Sequence, residues 1–222
     1  VVLERAGLSA ETDVAGIVLG ADGAPSGELL GMAARYVALK PIGRDHFEEA
    51  GQSDSLWRFA RSATHAGVTT ATDLAATLPD WAVDTMVRET AKPDFPLRLV
   101  PAFVGTSQPV VEGVARMREL AGRSGDKLRF GLVKLIADGS IQGFTARLKW
   151  PGYFNGAPNG LWYIDPERIA EIIAAYHDAG FQLHIHTNGD EATEVVLDAA
   201  DRVLASAPAP DARLTIQHCQ MA

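Results

Sequence analysis

The side chains of this sequence best suited to binding a metal or moving a proton sit at the ends of apolar runs in its second half. In "FQLHIHTNGD", residues 181–190, Phe181, Leu183 and Ile185 alternate with Gln182, His184 and His186 before the chain turns at Asn188-Gly189-Asp190. Side chains alternate faces along a strand, so this run puts three apolar groups on one face and two imidazoles on the other. Lys134 interrupts the apolar run "LVKLIA", His218 lies near the end of "TIQHCQ", and Asp190 follows His186 across a glycine turn. A lone strand histidine is ordinarily a core residue with its hydrogen bonds satisfied. Three further polar groups at corresponding strand ends shift that reading toward a site.

A buried lysine is costly unless it is paired or neutralised. Carbamylation by carbon dioxide would turn Lys134 into an anionic group able to bridge two metal ions. Pairing with a carboxylate such as Asp138, or snorkelling of the stem out of the strand end, are the plainer solutions and slightly the better supported. Two imidazoles with a carboxylate-like group suit zinc, iron or manganese. "HIH" is itself an H-x-H, which places two ligands on one strand face.

These residues must be positioned by a repeating scaffold. Asp165 is placed to cap a helix with Pro166 in its first turn, Ile169, Ile172, Ile173 and Tyr176 follow at helical spacing, and Gly180 supplies the stop. The strand 181–187 comes next, then a helix at about 191–206, a break at "APAPDA", and the apolar strand "RLTIQHCQ". Upstream, helix 54–66 leads to strand 67–74, helix 80–91 to strand 97–104, and helix 109–122 to strand 128–140. Alternation with short connections predicts parallel βα units with right-handed crossovers. We count five such strands, against eight in a (β/α)₈ barrel. Residues 1–50 read as an irregular, turn-rich part with a hairpin or excursion at 19–31, and residues 51–222 as the βα units. The gap at 140–164 holds Trp150, Tyr153, Phe154, Trp162 and Tyr163 among glycines and prolines. Long loops after barrel strands are usually functional, so Trp150 and Trp162 are read as lining a pocket, against a surface excursion packing its own aromatics.

The chain has 222 residues, 47% hydrophobic and 22% charged, with a net charge of −8. That acidic balance without clustered Lys or Arg argues against nucleic acid and anionic membrane surfaces. No run approaches the roughly 18 apolar residues of a membrane span. The single cysteine, Cys219, excludes an internal disulfide and fits a reducing compartment such as the cytoplasm. A start at Val1-Val2-Leu3 and a stop just past "LTIQHCQ" lead us to expect a piece of a longer protein.

Taken in order, "GAPSGELL", "GVTTATDLA", "VKLIADGSIQGFTARL", "GLWYIDPERIAEIIAAYHDAGFQLHIHTNGDEATEVVLDA" and "LTIQHCQ" resemble the amidohydrolase superfamily, in the branch that includes N-substituted formamide deformylase. The resemblance covers most of the chain. It implies a (β/α)₈ TIM barrel, of which this chain holds an incomplete set, about strands 2–6. It also implies one or two divalent ions, zinc first among them, held in part by Lys134 as the strand-4 lysine, His186 as the strand-5 ligand and His218 as the strand-6 ligand. His184, one step deeper, falls to support or substrate contacts, as do Asp190, Asp138, Trp150 and Trp162. The strand-1 H-x-H of the family has no counterpart here, since His46 and His65 stand alone, and the catalytic strand-8 aspartate is absent. No catalytic residue is therefore expected within the chain, which holds about half a metal site. The parent is expected to hydrolyse non-peptide carbon–nitrogen bonds of small amides or N-acyl amines, with a catalytically inactive binding or regulatory scaffold as the alternative. A doubly wound nucleotide-binding fold is disfavoured because no G-x-G-x-x-G or P-loop follows a strand. Exposed barrel edges predict a homo-oligomer.

Overall fold

The computed structural model describes residues 2–9, 12, 14, 16–39 and 52–221. His46 lies outside the described residues. A short helix α1 (Val2–Arg5) precedes an antiparallel hairpin of β1 (Ile17–Leu19) and β2 (Pro25–Leu29), then α2 (Gly31–Leu39). The hairpin answers the turn signal at 19–31: Asp22 Oδ1 accepts from the Ala24 N–H at 3.0 Å, the side-chain turn that Asp favours.

From residue 52 the alternation is regular. It runs α3 (Gln52–His65), β3 (Thr70–Ala71), α4 (Asp80–Thr90), β4 (Arg98–Leu99), β5 (Ala102–Val104), α5 (Val110–Ala121) and β6 (Leu132–Ile136). It continues with α6 (Pro166–Asp178), β7 (Gln182–Thr187), α7 (Asp190–Ser206) and β8 (Thr215–His218). Sheet β5-β6-β7-β8 is parallel and in chain order. The segment through β3 extends that order. Arg98 N donates to Thr69 O at 3.1 Å, Val100 N to Ala71 O at 2.9 Å, Ala102 N to Asp73 O at 2.6 Å and Val104 N to Ala76 O at 2.9 Å. Five parallel lines of backbone therefore lie side by side in sequence order, the arrangement of a partial TIM barrel rather than of a doubly wound sheet.

Two faces result. On β7 the even positions are half-buried and the odd positions Leu183, Ile185 and Thr187 are buried. Leu183 and Ile185 join Val133 and Leu135 of β6 in one core with Ile169, Ile173 and Tyr176 of α6 and Val196 and Ala199 of α7. Each such aliphatic contributes about 1.5–3 kcal/mol by leaving water. Helix α6 starts as its sequence requires: Asp165 Oδ1 accepts from Glu167 N at 3.0 Å with Pro166 in the first turn, and Gly180 takes φ +81° at the exit. Tyr176 is wholly buried, donates its hydroxyl to Gly105 O at 2.7 Å, and its ionisation is pushed up to about 12 by that burial. A Cβ on Gly113 would stand 2.1 Å from that hydroxyl, so the glycine lets α5 close onto α6.

Two strands are shorter than their apolar runs. In "LRFGLVKLIADGS" the ladder begins only at Leu132, because Gly131 at φ +133° breaks the extended chain, while Leu128 and Phe130 are still buried. "LTIQHCQ" reads as an apolar strand, yet Thr215, Ile216 and Gln217 are half-buried and His218 is exposed. Among the described residues β8 has a neighbour, β7, on one side only. No helix among them is long and apolar enough to cross a membrane.

Helices α3 and α4 are joined through one carboxylate. Glu89 is 2% exposed; it binds Lys92, accepts from Trp57 Nε1 at 2.8 Å and Ser53 Oγ at 3.0 Å, and from Arg88 Nε at 3.1 Å. The Lys92 ammonium, then the Trp57 indole, hold its carboxyl down to about 2 against the opposing effect of burial. A depressed folded-state pKa stabilises above the unfolded value of 4.5 and is lost as pH falls toward 2. Glu89→Gln is expected to cost about 1.5–3 kcal/mol at neutral pH, the worth of charge-assisted hydrogen bonds. Urea midpoints of parent and variant should converge as pH drops from 4.5 to 2; a gap independent of pH would show that charge is not the cause.

Candidate metal centre

The inward face of the sheet carries Lys134, His184 and His186, and His218 joins them at its end. Lys134 of β6 lies level with His184 of β7, Ile136 with His186, and His186 with Gln217 of β8. Period-two alternation alone would turn His218, next after Gln217, to the outer face. The backbone prevents this. His218 and Cys219 adopt φ +75° and +46°, ending the strand, and the turn is held by Cys219 N to Thr187 O at 2.9 Å and Met221 N to Asn188 O at 3.1 Å. The His218 ring thereby stands edge-on to His186, centroids 4.6 Å apart and planes at 70°.

Lys134 is 3% exposed, and its Nζ donates to Gln217 Oε1. Burial pulls its pKa down to about 8. His184, His186 and His218 are each lowered, first by desolvation, with Lys134 adding repulsion in all three; at His186 the Gly139 carbonyl opposes the fall. Neutral imidazoles are the form that binds a metal. His186 Nε2 lies 2.7 Å from Gly139 O, and a carbonyl only accepts, so the neutral ring carries its proton on Nε2 and its lone pair on Nδ1.

Asp138 is not Lys134's counter-ion. It is fully buried, and its carboxylate accepts from Asn188 N at 2.9 Å, Gly189 N at 2.9 Å and Arg147 N at 3.0 Å, with His186 Nε2 at 3.6 Å. It ties the end of β6 to the β7–α7 turn and to the loop 139–162. Asn188 donates Nδ2 to the same Gly139 carbonyl at 2.8 Å, while its buried Oδ1 has no partner. Asp190 starts α7 and accepts from Glu191 N and Lys149 N, both at 3.0 Å.

The loop is a built element. Arg147 grips Glu191 of α7 through Nε at 3.1 Å and Nη2 at 3.0 Å, donates Nη1 to Gly160 O at 3.0 Å, and lies over the Trp162 ring at 5.3 Å. Asn159 bridges Leu148 N and O, each at 2.8 Å. Trp162 packs against the core, whereas Trp150 is 94% exposed.

The donor set fits a divalent metal in part. Among the described residues no three His, Cys, Asp or Glu side chains converge as a metal would need. His186 and His218 stand together at one end of the inner face with Lys134 one pleat deeper, and Lys134 is the group whose chemistry would have to supply the third ligand. Sequence reasoning missed Gln217, Asn188, Arg147 and Glu191. Gln217 was within reach, since it falls two residues after Thr215 on the inward-facing parity; the Arg147–Glu191 pair, 44 positions apart, carries no local signal.

The sequence model of the amidohydrolase family matches residues 1–222. A 91-residue stretch, 41% of the chain, is 35% identical to 17% of YtcJ of Bacillus subtilis (strain 168), a protein provisionally named an amidohydrolase. An alignment of 213 residues, covering 89% of the chain and 34% of Protein LONG AFTER FAR-RED 3 of Arabidopsis thaliana, is 29% identical. Two crystal structures, each of an uncharacterized metal-dependent hydrolase, superpose with TM-score 0.62. That of Pyrococcus horikoshii OT3 is 17% identical, covering 90% of this chain and 38% of the other; that of Pyrococcus furiosus is 18% identical, covering 91% and 40%. Those structures establish the likeness of fold. The chain thus spans well under half the length of each of these relatives.

Proposed function

The chain belongs to the amidohydrolase family, and from that premise we propose that it contributes Lys134, His186 and His218 to the metal centre of a hydrolase acting on non-peptide carbon–nitrogen bonds of small amides or N-acyl amines. The observation that carries this is the approach of the His186 and His218 rings to 4.6 Å on a sheet whose alternation would have separated them. Imidazole ligands favour zinc among the common candidates. When bound, a divalent metal supplies Lewis acidity, the means of making water nucleophilic near neutral pH and of polarising a scissile carbonyl.

The chain's own residues do the rest of what is assigned here. His186 offers Nδ1 because Gly139 O holds the proton on Nε2. Asp138 is spent on three backbone N–H groups, so it orients rather than accepts a proton from substrate. The general base is proposed to come from outside these 222 residues. A binding scaffold without chemistry is the second reading, favoured by the incomplete set of three acidic, thiol or imidazole ligands among the described residues.

The two part in one experiment on the full-length protein purified without chelators. Metal content by inductively coupled plasma mass spectrometry is expected near stoichiometric, and His186→Ala and His218→Ala should each abolish both metal retention and release of amine from N-acyl substrates. A parent without metal, or variants that keep it, would sink the hydrolase reading.

A further inference from the structure

The metal-site reading leaves two inward side chains of the cluster without a task, His184 and Gln217. They touch each other: Gln217 Nε2 lies 3.1 Å from His184 Nδ1, while the other end of the same amide, Oε1, receives Lys134 Nζ. We propose that Gln217 is a positioning residue, its amide oriented by His184 so that its oxygen holds the Lys134 amine in place beside His186 and His218. This deepens the metal-site reading and rests on it.

The orientation follows from donor chemistry. An amide oxygen only accepts, so Lys134 Nζ donates to it whatever its charge. The amide nitrogen then faces His184 and only donates, so Nδ1 of His184 bears the lone pair and the neutral ring carries its proton on Nε2. That proton needs an acceptor. The Gln182 amide nitrogen lies 3.4 Å from Nε2 and 3.3 Å from Arg213 O; turning that amide over gives up the Arg213 contact and sets its carbonyl oxygen on the Nε2 proton. Three strands cooperate in the arrangement: Lys134 and His184 are register neighbours, and Gln217 enters from β8 one pleat further along.

A lysine stem gives up rotamer freedom when it is fixed. A carboxylate could fix it, but Asp138, the nearest acid in the sequence, is saturated by backbone N–H groups. The Gln217 amide fixes the amine without bringing a negative charge to it. His184, a step deeper than His186 and level with Lys134, is where the amide's second end is held.

The test uses the full-length protein in two arms. Long-range ¹H–¹⁵N correlation spectra of the metal-free protein should show His184 Nδ1 without a proton. Zinc affinity by competition with a chromophoric chelator should fall about 10–100-fold in Gln217→Leu and His184→Phe, the range for losing a group that orients a ligand. His184→Asn, whose amide oxygen can replace Nδ1 as acceptor, should recover most of that loss; a purely structural role would not distinguish Phe from Asn in this way. A proton on His184 Nδ1, or unchanged zinc affinity in the Leu and Phe variants, overturns the role of Gln217. A parent that binds no zinc, iron or manganese overturns the proposed function itself and this role with it.

Discussion

Asp138→Ala is expected to lower the unfolding free energy by about 2–6 kcal/mol, because it strands two buried backbone donors at about 1–3 kcal/mol each and a third that is half-buried. The donors are the N–H groups of Arg147, Asn188 and Gly189, all within 3.0 Å of a carboxylate with no exposed surface. A typical domain has only about 5–15 kcal/mol in hand, so the variant will lie near the limit of folding. Asp138→Asn serves as the milder test. Its amide keeps one acceptor oxygen and turns a donor toward at least one N–H, so it should fall between parent and alanine variant in a urea titration. Amide hydrogen exchange at Asn188 and Gly189 should quicken before global unfolding, because the turn that carries them is released first. A loss below about 1 kcal/mol in the alanine variant would mean that water replaces the carboxylate without penalty.

Gly189→Ala should be the other severe change, at about 3 kcal/mol or somewhat more, the upper end for overpacking. A Cβ at Gly189 would stand 1.8 Å from Arg147 O and 2.4 Å from Arg147 C, both backbone atoms that cannot rotate away. The loop would have to lift from the strand ends, straining the Asp138 contact to Arg147 and the Arg147–Glu191 pair together. The backbone angle is not at issue, since Gly189 has φ −84°. Gly180 is the informative contrast. It has open space around it but φ +81°, so alanine there meets only the left-handed penalty of about 1–2 kcal/mol. Thermal unfolding of the two variants should rank Gly189→Ala as clearly the worse; equal losses would show that the loop yields.

These two residues mark the boundary of what is legible in the chain. The helix from Pro166 to Asp178 was readable because its signals are local: Asp165 as cap, proline in the first turn, isoleucines at helical spacing and Gly180 as stop. Strand β7 was equally plain, since three apolar side chains alternating with polar ones leave one register that buries them. The glycine in "NGD" announces a turn, yet its reason for being glycine is a carbonyl 42 positions upstream. Asp138 invited pairing with Lys134, four residues away, but four residues along this chain carry it out of the strand and into a nest of backbone donors. The aromatic loop showed its length and composition, not that Arg147 would stack on Trp162 while Trp150 faces solvent.

Periodicity, caps and turn residues by themselves determined the βα order and placed Lys134, His184 and His186 on one face, because those signals act within a few residues. Tertiary structure alone decided that His218 turns inward past its own alternation, that Gln217 rather than an acid meets Lys134, and that Asp138 staples the loop. Each of those outcomes depends on a hydrogen-bond partner or a positive backbone angle fixed by a strand or turn distant in sequence, whose position no local pattern encodes.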